Sequence, residues 1–193
     1  MALNLSGAFT ALVTPFRSDG SLDLDALARL VEWQIESGIS GLVPCGSTGE
    51  SATLTPEEHI RVVRHVVEVA SGRVPVVAGT GSNSTREAIE LTAAARSAGA
   101  DGALLISPYY NKPTQEGIYQ HYRMVALEGG LPIVLYNIPG RTASRIESAT
   151  TARLSRVPGV AGLKECGGDF AATAETIQSV APGFAVLSGD DPL

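Results

Sequence analysis

At 193 residues the chain can build one domain with a sizeable core, and 44% hydrophobic with 18% charged residues is the composition of a globular α/β protein. A formal net charge of −6 without any basic run argues against nucleic acid and anionic membrane as partners, and no apolar run approaches the ~20 residues that a membrane span needs. Two cysteines, Cys45 and Cys166, are too few for a disulfide framework or a cysteine zinc site, and Met1 to Ser6 carry no basic-then-apolar leader, so a reducing cytoplasm is expected.

In chain order, seven short apolar runs rich in β-formers predict strands: Ala8 to Thr14, Gly41 to Pro44, Val74 to Ala78, Ala103 to Ser107, Ile133 to Asn137, Val160 to Lys164 and Ala185 to Ser188. Helical patterns separate them. Leu27, Leu30, Val31 and Ile35 recur at helical spacing ahead of Gly38, a C′ glycine. Thr55-Pro56-Glu57-Glu58 and Ser84-Thr85-Arg86-Glu87 both read as capping boxes, the second opening a helix that stops near Gly99. Thr114 caps a helix running to about Glu128, and weaker patterns follow Ile146 and Asp169. Alternating strand and helix implies a parallel sheet, either doubly wound or closed as a (β/α)8 TIM barrel. No G-x-G-x-x-G follows the first strand. Polar residues instead cluster after several different strands, at Thr14, Ser47-Thr48, Asn83, Tyr109-Tyr110, Asn137 and Lys164, which is the barrel habit. The expectation is a single domain over residues 1–193, a TIM barrel as far as its seventh strand, since a complete barrel takes ~250 residues. Strands one and seven are then each expected to keep an unpaired edge.

The strongest chemical signal is Val160-Ala161-Gly162-Leu163-Lys164-Glu165, an apolar run ending in lysine. Lys112 and Lys164 are the only lysines among fourteen basic residues, so lysine is not the default surface cation. Desolvation at a buried strand end favours a free amine, the species that attacks a ketone to form a Schiff base. A strand-end lysine paired with Glu165 is the competing reading. Gly46-Ser47-Thr48-Gly49-Glu50-Ser51 offers backbone N–H groups and hydroxyls that could hold a carboxylate, or an ordinary glycine turn. Ser107-Pro108-Tyr109-Tyr110-Asn111-Lys112-Pro113 sets two tyrosines on a proline-stiffened loop, for chemistry or for packing. Tyr136-Asn137-Ile138-Pro139-Gly140-Arg141 supplies a phenol able to relay a proton and a guanidinium able to clamp a carboxylate, or a satisfied hydroxyl and a surface arginine. The three histidines suggest no metal cluster: His59 and His65 share one helix, and His121 lies on another.

Together GSTGES (46–51), AGTGSNST (78–85), SPYYNKPTQEGIYQHY (107–122), YNIPGRT (136–142), GLKE (162–165) and LSGDD (187–191) resemble the dihydrodipicolinate synthase family, one of the pyruvate-dependent class I aldolases that include N-acetylneuraminate lyase. The resemblance runs through essentially the whole chain. It implies that Lys164 forms the Schiff base with pyruvate and that Tyr136 donates and accepts the proton above it. Ser47 would be the hydroxyl linking two tyrosines in a relay, and Tyr110 the second tyrosine, contributed across a subunit interface. Thr48 would bind the pyruvate carboxylate and Arg141 the carboxylate of L-aspartate 4-semialdehyde. The implied enzyme is a cytoplasmic lyase of lysine biosynthesis through diaminopimelate, a homotetramer built as a dimer of dimers, with neither metal nor organic cofactor. L-Lysine is implied as an effector at Ser51, Ala52, His59, Asn83, Glu87 and Tyr109, with Pro56 in place of a histidine found in some regulated members.

Several features depart from the pattern. The family usually has threonine at Ser47, whereas the lyase branch commonly has serine, which lacks the methyl that restricts the rotamer. Cys166 stands where an alanine or serine is usual and reads as packing. The eighth βα unit, the C-terminal helical region and one pocket residue of the family have no counterpart in residues 1–193. The alternatives are therefore a 2-keto-3-deoxy sugar-acid or N-acetylneuraminate lyase, or an inactive fragment of the synthase.

Overall fold

The computed structural model describes residues 3–190. The chain divides into two compact units, Met1–Thr80 with Ala94–Ala103, and Gly81–Ala93 with Leu104–Leu193.

In the first unit β1 (Phe9–Ala11) pairs in parallel with β2 (Gly41–Val43), Phe9 opposite Gly41. The third strand, β3 (Val77–Gly79), extends this set: Leu42 bridges Val76, and the Gly79 amide donates to the Pro44 carbonyl at 2.9 Å. Two helices cross between these strands. The first, α1 (Leu24–Glu36), is capped by Asp23, buries Leu27 and Val31, and ends ahead of Gly38, whose φ of +85° is the left-handed turn expected of a C′ glycine. The second, α2 (Pro56–Ala70), has the capping box read from its sequence: Thr55 Oγ1 accepts from the Glu58 amide at 3.2 Å, and Glu58 Oε2 accepts from the Thr55 amide at 2.9 Å. His59, Val62, Val63, Val66 and Ala70 are buried, and α1 packs against α2.

The next helix, α3 (Thr85–Ser97), leads into β4 (Gly102–Ile106). In the second unit the part of β4 from Leu104 on is followed in spatial order by β5 (Ile133–Asn137), β6 (Val160–Glu165) and β7 (Ala185–Ser188). The β5–β6 and β6–β7 pairings are parallel. Between the strands run α4 (Gln115–Glu128), capped by Thr114, a single turn α5 (Pro139–Thr142), α6 (Ser148–Leu154) and α7 (Phe170–Ser179), capped by Asp169. The core of this unit is the fully buried interior of β5 together with Ile118, Tyr122 and Val125 of α4.

All seven expected strands form: β1, β2 and β3 are shorter than expected, β4 is shifted by one residue, β5 and β7 keep the expected bounds, and β6 runs one residue further, to Glu165. β1 has three residues rather than seven, because past Ala11 the chain turns toward buried Thr14, whose hydroxyl donates to the Gly49 carbonyl at 2.7 Å. Each terminal strand has a single hydrogen-bonded neighbour in its unit, β2 for β1 and β6 for β7, and the residues of both are only partly buried.

Candidate active site

Parallel pairing sets Tyr136 of β5 opposite Lys164 of β6, so the two side chains emerge on the same face at the strand C-termini. Lys164 Nζ lies 4.5 Å from the centroid of the Tyr136 ring. Tyr136 is 7% exposed, and Lys164 is half-buried. The period of two along β6 turns the next residue, Glu165, to the opposite face. There its carboxylate accepts from Asn137 Nδ2 at 3.0 and 2.9 Å and from the Gly167 amide at 2.6 Å. Asn137 completes the clamp by accepting the Ile146 amide on Oδ1 at 3.0 Å. The competing lysine–Glu165 pair is thus not formed, and among the described residues Lys164 takes part in no ion pair.

Two further residues border Lys164. Cys166 is tied to β5 through its amide, which donates to the Asn137 carbonyl at 2.8 Å. Burial raises its thiol pKa above the ordinary value, against the opposing influence of Lys164 and Tyr136. Gly189, just past β7, donates its amide to the Glu165 carbonyl at 2.9 Å. A Cβ at Gly189 would overlap Lys164 Cε and Cys166 Sγ. Neither residue was singled out as a site from sequence. The available signal for Gly189 was a glycine directly after an apolar strand, within the LSGDD segment.

Arg141 sits in α5 and is exposed. The turn beneath it is fixed by buried Thr142, whose hydroxyl donates to the Ser144 carbonyl at 2.7 Å, and by Ala143 at φ +54°. The tyrosine loop is held from two sides. Asn83 Nδ2 donates to the Tyr109 carbonyl at 3.2 Å, and Ser144 Oγ donates to the Pro108 carbonyl at 2.9 Å. Tyr110 itself is 87% exposed at φ +71°, and Lys112 follows at φ +44°. Left-handed backbone at two non-glycine residues costs on the order of 1–3 kcal/mol each and persists where surrounding structure imposes it.

Ser47 and Thr48 belong to the first unit, exposed in the loop after β2. Their loop is a tight one: Gly49 and Ser51 amides donate to the Gly46 carbonyl, and Cys45 and Glu50 adopt φ of +54° and +57°. Gly49 is confined, since a Cβ there would come within 3.0 Å of the Leu12 carbonyl. Of the residues implied for an effector, Ser51 and Ala52 lie on a short 3-10 turn of this unit. His59 is 5% exposed, with Nε2 against the Gly79 carbonyl at 2.8 Å. Asn83, Glu87 and Tyr109 belong to the second unit. The expected box at Ser84 is modified there: the Glu87 amide donates to Ser84 Oγ at 3.4 Å, but the Glu87 carboxylate accepts from Ser82 Oγ, which in turn accepts the Ser84 amide at 3.0 Å. Among the described residues no cluster of three His, Cys, Asp or Glu is spaced to hold a metal ion, and no helix is long and apolar enough to cross a membrane.

The model of the dihydrodipicolinate synthetase family matches residues 4–193. The 4-hydroxy-tetrahydrodipicolinate synthase of Nitratidesulfovibrio vulgaris is 57% identical over 190 residues, 98% of this chain and 65% of that protein. Among solved structures, the chloride-inhibited dihydrodipicolinate synthase of Acinetobacter baumannii complexed with pyruvate is 49% identical at a TM-score of 0.95, over 97% of this chain and 65% of that one. The enzyme of Cyanidioschyzon merolae with lysine bound is 42% identical at a TM-score of 0.93, over 96% and 63%. These structures are TIM barrels, and the seven strands described above follow the same α/β path. The chain spans about 65% of the length of the curated relatives it matches.

Proposed function

The chain belongs to the dihydrodipicolinate synthetase family, and from that premise we propose that it condenses pyruvate with L-aspartate 4-semialdehyde to 4-hydroxy-tetrahydrodipicolinate, the first committed step of lysine biosynthesis through diaminopimelate. The observation that carries the proposal is the pairing of Lys164 with Tyr136 on one face of β5–β6, with Glu165 tied to Asn137 on the other. A lysine that pairs with no carboxylate among the described residues, beside a buried phenol, is what imine chemistry needs.

In the proposed sequence the Lys164 amine attacks the keto carbon of pyruvate. Tyr136 gives a proton to the carbinolamine hydroxyl, which leaves as water, and an iminium remains. Loss of a methyl proton yields an enamine, whose carbon attacks the aldehyde carbon of the semialdehyde, and the aldehyde oxygen takes up a proton. The amine of the second substrate then displaces Lys164 by transimination and closes the ring. The iminium is the electron sink, so the sequence draws on no metal or organic cofactor. Thr48 is assigned the pyruvate carboxylate, Arg141 the carboxylate of the second substrate, and Ser47 and Tyr110 the remaining hydroxyls of the proton relay. The exposure of Tyr110 supports a role toward a neighbouring subunit, as a homotetramer would provide. L-Lysine is the proposed effector, supported by the lysine-bound relative, and the cytoplasm the proposed compartment.

Ser47 favours a second reading, a sugar-acid or neuraminate lyase, and the assay that separates the two is consumption of L-aspartate 4-semialdehyde in the presence of pyruvate. Arg141→Ala should weaken semialdehyde use by roughly 10- to 100-fold, the worth of a charge-assisted hydrogen bond, while leaving pyruvate capture by Lys164 nearly intact. Parallel loss of both would show that Arg141 shapes the whole site and does not serve the second carboxylate. Turnover of a 2-keto-3-deoxy sugar acid without semialdehyde consumption would replace the synthase reading by the lyase one.

A further inference from the structure

Ser144 lies two residues past the single turn α5, and its hydroxyl leaves that turn for the loop after β4. Ser144 Oγ donates to the Pro108 carbonyl at 2.9 Å and lies 3.4 Å from Ser107 Oγ. A hydroxyl has one proton to give, so Ser107 is the donor in the second contact. Ser107 is itself fully buried, and its amide donates to the Tyr136 carbonyl at 3.0 Å. On the other side Thr142 Oγ1 donates to the Ser144 carbonyl at 2.7 Å and accepts the Ser144 amide at 3.4 Å. Between these two residues Ala143 holds φ +54°, left-handed backbone that a non-glycine residue keeps only where its surroundings impose it. Among the described residues, the Ser144 hydroxyl makes the only hydrogen bonds between residues 139–144 and the loop after β4. One side chain thus joins the turn that carries Arg141 to the strand ends that carry Tyr136.

We propose that Ser144 is a positioning residue for Arg141, fixing the turn that presents the guanidinium against the ends of β4 and β5. Arg141 is exposed and takes part in no ion pair among the described residues, so its aim depends on where its backbone is held. The backbone hydrogen bonds of α5 close on Ile138 and Pro139, which gives the turn its shape. Its placement relative to the neighbouring strand end comes from the Ser144 hydroxyl. A guanidinium binds a carboxylate best through two parallel hydrogen bonds, and that geometry tolerates little misalignment. The inference rests on the reading of Arg141 as partner of the second substrate's carboxylate. It deepens that reading, because recognition of the semialdehyde then depends on a residue that need not touch it.

The test follows two activities of the full chain: borohydride trapping of pyruvate, and consumption of L-aspartate 4-semialdehyde at saturating pyruvate. The variants are Ser144→Ala, Ser144→Thr, Arg141→Ala and the double variant Ser144→Ala with Arg141→Ala. Ser144→Ala is expected to raise the half-saturating semialdehyde concentration by about tenfold, the worth of one hydrogen bond, and to leave trapping within about twofold. Ser144→Thr keeps the hydroxyl and should stay within about twofold of the unaltered chain in both activities. In the Arg141→Ala background, Ser144→Ala should add less than about twofold, because both changes act on the same contact. Three results would overturn the inference: an unaltered semialdehyde dependence in Ser144→Ala, its full effect persisting without Arg141, or trapping and semialdehyde use falling together in the alanine and threonine variants alike, which is the mark of lost packing. An unaltered chain that traps pyruvate yet consumes no semialdehyde would bring down the reading of Arg141 first, and the positioning role with it.

Discussion

Lys164 and Glu165 are chain neighbours with opposite surroundings, and the difference comes from strand alternation and one asparagine. Asn137 spends Nδ2 on both Glu165 oxygens and Oδ1 on the Ile146 amide, so the carboxylate beside the lysine is already satisfied. Asn137→Ala would leave the buried Ile146 amide without its acceptor and release the carboxylate. A loss of about 2–3 kcal/mol in urea-derived stability is expected. His121 makes a second prediction at this scale. It is 4% exposed, bonds through Nδ1 to Thr85 Oγ1 at 3.0 Å, and its buried Nε2 has no hydrogen-bond partner among the described residues. Burial pushes its pKa down from 6.5 to about 4. The unfolded chain therefore binds a proton that the folded chain refuses between those values. Stability is complete above pH 6.5 and falls as pH drops toward 4, by about 3 kcal/mol over the window. Urea midpoints at pH 7.5 and pH 4.5 should show the fall in the unaltered chain and a smaller one in His121→Gln; equal falls would assign it to other groups. From sequence Lys164, Tyr136 and Arg141 were visible because their residue types announce their chemistry. The Asn137–Glu165 clamp was not, since it depends on which face of a strand end each side chain takes.

At the level of elements, apolar run length, helical spacing and capping residues were enough to find all seven strands and the helices α1, α2, α4 and α7, although the Asp23 cap of α1 emerged only from the structure. The single turn α5 escaped, because four residues carry no periodicity and its order comes from Thr142 bonding into the following chain. The Ser84 box was legible as a helix start, yet its wiring through Ser82 needs a residue two positions ahead of the cap. Strand order also explains Gly189: β7 pairs beside β6, Lys164 opposite Leu187, which brings the turn after β7 onto the lysine stem. In Gly189→Ala the added methyl must displace the Lys164 side chain. Displacement of a reacting group by about 1 Å can cost on the order of 100-fold. Pyruvate capture should fall by that order while the circular dichroism spectrum stays the same; capture at the unaltered rate would show that the stem has room to move.

For the whole molecule, the chain with its seven described strands spans about 65% of the length of the curated relatives. Within the second unit, α7 leaves Phe170 and Ile177 67% and 57% exposed, and β7 offers a half-buried edge of the kind that invites association. Tyr110 adds a backbone-strained, outward aromatic to the same unit. If it serves a neighbouring copy, Tyr110→Phe should leave the melting temperature unchanged yet lower condensation activity, and the activity per chain of the unaltered protein should rise with protein concentration. Activity independent of both would confine the relay to one chain. The partition of sequence information follows scale: residue chemistry and element order are local, whereas what an exposed tyrosine faces is set by surfaces that its own sequence segment does not contain.

The central claim is that Lys164 is the imine-forming residue, and covalent capture tests it most directly. The chain is incubated with pyruvate, reduced with borohydride, digested, and the modified peptide sequenced by mass spectrometry. The expected result is a carboxyethyl group on Lys164, with Lys164→Ala unmodified and Lys112→Ala modified as before. An adduct on the exposed Lys112, or none on either lysine, would contradict it.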